Sequence, residues 1–154
     1  MQKKNIYILI IVMLIGVFLW FQISKNSDAA RSDKNRNEVW DDVEAKIMAL
    51  NISEDMKKAL FQLAIGLQKS CSEPKMNKER ALELVKEHDL ALGCIYAIDT
   101  EMALDLDLTG KVEGWVASSI ATIRNYARFN GLLSGGMYPS PPETLKSCNF
   151  KVSD

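Results

Sequence analysis

The stretch SEDMKKALFQLAIGLQKSC, residues Ser53 to Cys71, repeats apolar side chains every three or four positions. This spacing places them on one face of an α-helix. Ser53 is followed by two acids, and a serine before acidic residues is typical of a helix start. The apolar face is wide and comprises Met56, Leu60, Leu63, Ala64 and Leu67, with Phe61 and Ile65 beside it. Such a face predicts a helix at the centre of a bundle.

Helical spacing continues on both sides of this segment, from Glu38 onward. A short helix is expected around residues 40–50, and Asn77 is a candidate cap for the helix after the central one. A further helix is expected to begin near Asp99 or Thr100. We therefore predict an all-α fold, with a compact bundle of about five helices over residues 38–154.

The end of the chain is expected to contain one long helix and one short one. The long helix runs from about Val112 to Leu133, and glycines stop it. Its predicted inward residues include Trp115, Val116, Ser119, Ile120, Ile123, Tyr126 and Ala127. After a Pro-rich turn, Ser140 and Glu143 stand at the spacing of a capping box, which predicts a short C-terminal helix over residues 141–147.

The N-terminal segment Ile6 to Ile23 predicts a single transmembrane helix. It contains no charged residue, and as a helix it is roughly 27 Å long, close to the apolar thickness of a bilayer. Residues 1–23 are thus interpreted as a membrane anchor. Two alternatives are a signal peptide cleaved near Ala29 or Ala30 and a buried core helix.

Residues 24–37, SKNSDAARSDKNRN, contain no large apolar side chain and predict a flexible polar linker. Basic residues flank both ends of the predicted span, so their number does not set its orientation. Because the segment before the span is very short, we expect the N-terminus inside and the helical domain outside the cytoplasm.

Charge argues against a nucleic-acid-binding protein. The formal net charge is -1, and residues 24–154 carry 17 basic and 20 acidic side chains after Lys3 and Lys4 are removed. Binding to phosphates requires clustered Lys and Arg.

Three cysteines are present, at positions 71, 94 and 148. Cys71 and Cys148 end similar stretches, LQKSC and LKSC, and an exported domain would allow them to form a disulfide. Cys94 lies in the apolar context LALGCIYAI, which is typical of a buried free thiol.

The segment Asp105 to Val116, DLDLTGKVEGWV, has the spacing of a degenerate calcium loop. Asp105, Asp107, Thr109 and Glu113 match ligand positions, but the twelfth position, which normally supplies a bidentate Glu, is Val116. We therefore expect no bound metal and no cofactor. The acids are interpreted as solvent-facing and helix-capping residues, with the neighbouring leucines buried and Thr109 and Gly110 in the turn.

Signals for catalysis are few. His88 is the sole histidine, and its place on the inner side of a helix favours a core residue over a general base. No metalloprotease, nucleophile-elbow or phosphate-loop motif occurs in the sequence. Glu101, Asp105, Asp107 and Glu113 could supply paired carboxylates, as many acidic helical domains could.

The segment Arg124 to Tyr138 is the candidate interaction surface. It combines Arg124 and Arg128, four positions apart, with Tyr126, Phe129 and Tyr138, and these residue types are enriched at protein interfaces. The alternative is that the aromatic residues pack in the core and the arginines face solvent.

Together these features predict a membrane-anchored, non-enzymatic interaction or assembly module that faces the extracytoplasmic side and has a protein partner in the envelope. Two alternatives stay open. One is a small envelope hydrolase that uses an acidic residue and His88. The other is a secreted effector or inhibitor released by signal cleavage.

Overall fold

The computed structural model describes Met13, residues 31–136 and residues 144–153. These residues form five α-helices and one 3-10 helix and contain no strand, which confirms the all-α prediction. The α-helices are α1 (Asp41–Met48), α2 (Glu54–Ser72), α3 (Lys78–Asp105), α4 (Leu108–Val116) and α5 (Ile120–Leu133). The 3-10 helix is Leu145–Ser147.

Helix α2 is the centre of the bundle and packs against the other four α-helices. The Ser53 hydroxyl accepts a hydrogen bond from the backbone N–H of Met56, as expected for a cap. Every residue of the predicted apolar face of α2 is buried, and Phe61 and Ile65 pack partly buried at its edges. The central position predicted from the width of this face is confirmed.

Helix α3 begins after Asn77, whose side chain accepts from the backbone N–H of Arg80. It changes direction at Asp99, which has an extended rather than helical backbone. The Asp99 carboxylate accepts from the backbone N–H of Met102 at 2.8 Å and so caps the second half of the helix. The predicted helix start near Asp99 corresponds to this kink.

The long helix predicted from Val112 to Leu133 is wrong, because the chain forms two helices there. Ser119 and Thr122 form a capping box that starts α5, and this cap separates α5 from α4. The break changes which side chains face inward. Ile120 and Ile123, predicted to be buried, are 56% and 52% exposed.

The disulfide joins Cys94 to Cys148, so the predicted Cys71–Cys148 pair and the predicted free Cys94 are both wrong. Gln62 explains the difference, because it accepts from the backbone N–H of Asn149 and donates to the carbonyl of Ser147. Cys148 is thereby held beside Gln62. Cys71 lies nine residues further along α2, roughly 13 Å away along the helix axis, which exceeds the reach of a disulfide. Cys71 is a buried free cysteine.

The C-terminal segment lies along α2 beyond the disulfide. The Ser153 backbone N–H donates to the Asp55 carboxylate at 2.7 Å, and the Lys58 ammonium lies over the Phe150 ring. Only part of the predicted short helix over residues 141–147 is described, and this part is the 3-10 helix, capped by Thr144. Its predicted capping box, Ser140 and Glu143, lies outside the described residues.

The helical unit begins at Arg31, seven residues before the predicted domain start. Arg31 donates to the Trp115 carbonyl and to the Ser118 hydroxyl, and it pairs with Asp42 at 3.6 Å. The part of the predicted linker that is described, residues 31–37, therefore contacts α1 and the end of α4.

None of the helices formed by residues 31–136 and 144–153 is long and apolar enough to cross a membrane. The predicted span, Ile6 to Ile23, lies outside the described residues.

Candidate functional site

A cleft of about 220 Å³ opens among α2, α3, α4 and α5. Leu63 and Leu67 of α2 are buried and form its apolar floor. Its remaining lining residues are mostly partly buried and comprise His88, Leu92 and Tyr96 from α3, Thr109 and Glu113 from α4, and Tyr126 from α5. The cleft therefore contains His88 and Glu113, which are both among the residues considered for the hydrolase alternative.

His88 is held by contacts on three sides. Its Nε2 lies 3.2 Å from the Ser70 hydroxyl, its ring lies 5.3 Å from that of Phe129, and the backbone of Gly66 approaches it closely. Burial lowers the pKa of His88 below its usual value, because burial disfavours the charged imidazolium. The imidazole is therefore neutral at pH 7.

The Ser70 and His88 pair does not have the arrangement of a nucleophile and its base. The Ser70 hydroxyl lies 3.2 Å from the Gly66 carbonyl and 3.2 Å from His88 Nε2, so its one hydrogen can be donated to either acceptor. Ser70 is fully buried, whereas a nucleophile must reach its substrate. This geometry favours the structural interpretation of His88. The hydrolase that uses His88 and an acid stays a prediction.

Tyr126 and Glu113 face each other at the mouth of the cleft. Tyr126 is partly buried and stacks on Phe129, with ring centroids 5.9 Å apart. Burial, followed by the negative charge of Glu113, raises the pKa of Tyr126 to about 12. Glu113 itself is exposed and takes part in none of the ion pairs found among the described residues.

The structure does not assemble the four candidate calcium ligands. Asp105 ends α3, Asp107 precedes α4 with a left-handed backbone (φ 46°), and Thr109 and Glu113 lie within α4. Within the part of the chain that is described, no group of three or more His, Cys, Asp or Glu side chains is placed to hold a metal.

Two predictions for the segment Leu104 to Val116 are wrong. Leu104 and Leu106, which we expected to be buried, are 63% and 41% exposed, whereas Leu108 is buried. Thr109 and Gly110 belong to α4, and the turn lies before them.

Four residues of the predicted interaction surface are described, and they are not exposed together. Phe129 is buried and Tyr126 lines the cleft, as the core-packing alternative expected of the aromatic residues. Arg128 donates to the Pro74 carbonyl, and Arg124 is exposed. Tyr138 lies outside the described residues.

The outer face of α5 is an exposed surface that was not predicted from the sequence. Ile120 lies nine positions before the buried Phe129, and at about 100° per residue their side chains point in opposite directions. Ile123, Arg124, Ala127 and Gly131 follow on the same side as Ile120. A signal for this face was present in the sequence, because Ser119 and Thr122 stand at capping-box spacing and set the phase of α5.

Comparison of the chain with protein-family models, with curated proteins and with solved structures finds no match.

Proposed function

We propose that this protein is a membrane-anchored, non-enzymatic interaction module whose helical domain binds a protein partner on the extracytoplasmic side. The observation that carries the proposal is the outer face of α5, where Ile120 and Ile123 are each more than half exposed. Neighbouring apolar side chains exposed on one helix face are characteristic of surfaces that a partner covers.

The charge of this face indicates the chemistry of the partner. Helix α5 contains two arginines and no acidic residue. Arg124 is exposed on the same side of α5 and takes part in none of the ion pairs found among the described residues. A matching partner is an amphipathic helix with an apolar stripe flanked by Asp or Glu.

The disulfide supports the extracytoplasmic location. Cys94 and Cys148 are bonded, and disulfides persist mainly in oxidising compartments outside the cytoplasm. The predicted span Ile6 to Ile23 supplies the membrane anchor, and residues 24–30 would connect it to the helical unit.

The test is affinity capture of the tagged full chain after crosslinking in intact membranes. We expect one protein to be recovered in a fixed ratio with the wild-type chain. We expect its loss from Ile120→Ser/Ile123→Ser and a reduced yield from Arg124→Glu. Leu90→Ser is the matched control, because Leu90 is an exposed leucine of α3 that lies outside this face.

Two outcomes would contradict the proposal. One is recovery of the same proteins with the wild type and with the double variant, and the other is recovery of the chain alone. A second chain copy carrying a different tag distinguishes self-association from binding to another protein. Recovery of that copy in place of another protein would overturn the assignment of the partner.

A further inference from the structure

The cleft among α2, α3, α4 and α5 is distinct from the proposed partner surface. Its lining includes Glu113 and Tyr126 but neither of the exposed isoleucines, Ile120 and Ile123. Its volume of about 220 Å³ is below the roughly 300 to 1,000 Å³ of pockets for drug-sized ligands. A ligand that fills it must be small.

The described residues that line the cleft supply a negative charge and no Lys or Arg. The negative charge is the Glu113 carboxylate. The remaining titratable side chain that could be cationic is His88, and its lowered pKa keeps it neutral at pH 7. The cleft therefore disfavours anions and favours a positive charge near its mouth.

The uncharged residues that line the cleft indicate that the ligand also has apolar groups. Tyr96 and Tyr126 both line the cleft, and aromatic rings attract organic cations. Leu63 and Leu67 form an apolar floor that a hydrated metal ion would not contact favourably. A carboxylate, aromatic rings and an apolar floor together match a small cation that carries apolar substituents.

We propose that this cleft binds a small organic ammonium ion, with its charge near Glu113 and the Tyr96 and Tyr126 rings and its alkyl groups on Leu63 and Leu67. This inference is independent of the proposed partner on α5. The same ammonium chemistry occurs in free amines and in lipid headgroups.

Choline is the first probe, and 3,3-dimethylbutan-1-ol is its uncharged analogue of the same shape. Each is titrated into the full chain in maltoside micelles while the backbone amide shifts of Thr109 and Glu113 are followed. We expect saturable choline binding at roughly millimolar affinity, as is usual for so few atoms. The uncharged alcohol should bind roughly fivefold more weakly or worse, because it lacks the charge interaction.

Two variants test the position of the site. Glu113→Gln removes the charge at the mouth and should weaken choline binding roughly fivefold. Glu101→Gln removes an exposed charge from α3 outside the cleft and should leave binding unchanged. Glycerophosphocholine, which carries the same ammonium on a headgroup, is compared with choline. Either ranking of the two supports the site and shows whether it prefers a headgroup or a free amine.

Three results would overturn the inference. The first is equal binding of choline and the uncharged alcohol, and the second is an equal effect of Glu113→Gln and Glu101→Gln. The third is the absence of saturable choline binding up to about 50 mM, a concentration well above the expected affinity. Circular dichroism of each variant verifies that the helices are intact.

Discussion

At the scale of single residues, the contact between α2 and α3 depends on a glycine beside a histidine. A Cβ atom at Gly66 would lie 2.8 Å from His88 Cδ2, closer than carbon atoms approach in folded proteins. The His88 ring cannot move away freely, because Ser70 and Phe129 hold it. Gly66 is therefore required by packing.

We expect Gly66→Ala to lower the free energy of unfolding by about 1 to 3 kcal/mol, the usual cost of overpacking. Gly114→Ala is the matched control, because a Cβ there meets no atom within 4 Å and alanine favours the helix. Urea denaturation of both variants measures the difference. A Gly66→Ala variant as stable as the wild type would contradict the close packing of His88.

His88 also makes stability depend on pH. Its pKa in the folded state is lowered by burial, so the unfolded chain binds the proton more readily. The contribution of His88 to the free energy of unfolding is therefore complete above about pH 6.5, the ordinary pKa of histidine in an unfolded chain. This contribution decreases as the pH falls below that value. Burial raises the pKa of Asp89, so its titration has the opposite effect on the free energy of unfolding. This effect occurs nearer the acidic pH range in which Asp carboxyls usually titrate.

We expect the free energy of unfolding to fall between pH 7 and about pH 5.5 and expect His88→Gln to flatten this dependence. Glutamine keeps a hydrogen-bonding group near Ser70 but does not titrate in this range. The measurement is urea denaturation at several pH values. An unchanged slope in His88→Gln would show that another group causes the dependence.

At the scale of helices, local patterns predicted much of the fold because the decisive interactions are local. The face of α2 depends on residue spacing within one helix, and the start of α3 depends on the Asn77 cap three residues from its partner. The break between α4 and α5 was missed because Trp115 and Val116 continue a helical spacing toward Ile120. The capping box of Ser119 and Thr122 outweighed that spacing.

Removal of this cap tests its role in separating α4 from α5. We expect Ser119→Ala to lower the free energy of unfolding by about 1 kcal/mol, because the backbone N–H of Thr122 loses its acceptor. Ser119→Thr keeps the hydroxyl and should lose less. Equal unfolding free energies for Ser119→Ala and the wild type, measured in urea, would show that the cap does not stabilise α5.

At the scale of the whole molecule, the disulfide attaches the C-terminal segment to α3. Cys94 and Cys148 are 54 residues apart in sequence, so their pairing depends on how α2 and α3 pack. No local pattern contains that information. The cleft was likewise not predicted, because its lining comes from four helices.

We expect a reducing agent to lower the free energy of unfolding by about 2 to 5 kcal/mol, the usual effect of losing a native disulfide. Cys71→Ala should retain this sensitivity to reduction, since Cys71 is free. Loss of the sensitivity in Cys71→Ala would contradict the Cys94–Cys148 bond. Mass spectrometry of an unreduced digest identifies the linked peptides independently.

Photo-crosslinking in intact membranes tests whether the outer face of α5 binds a protein partner. A photoreactive amino acid is placed at Ile123 in one chain and at Leu90 in another, because both side chains are exposed. We expect one protein adduct from position 123 that is absent from position 90. No adduct from position 123, or the same adduct from both positions, would contradict it.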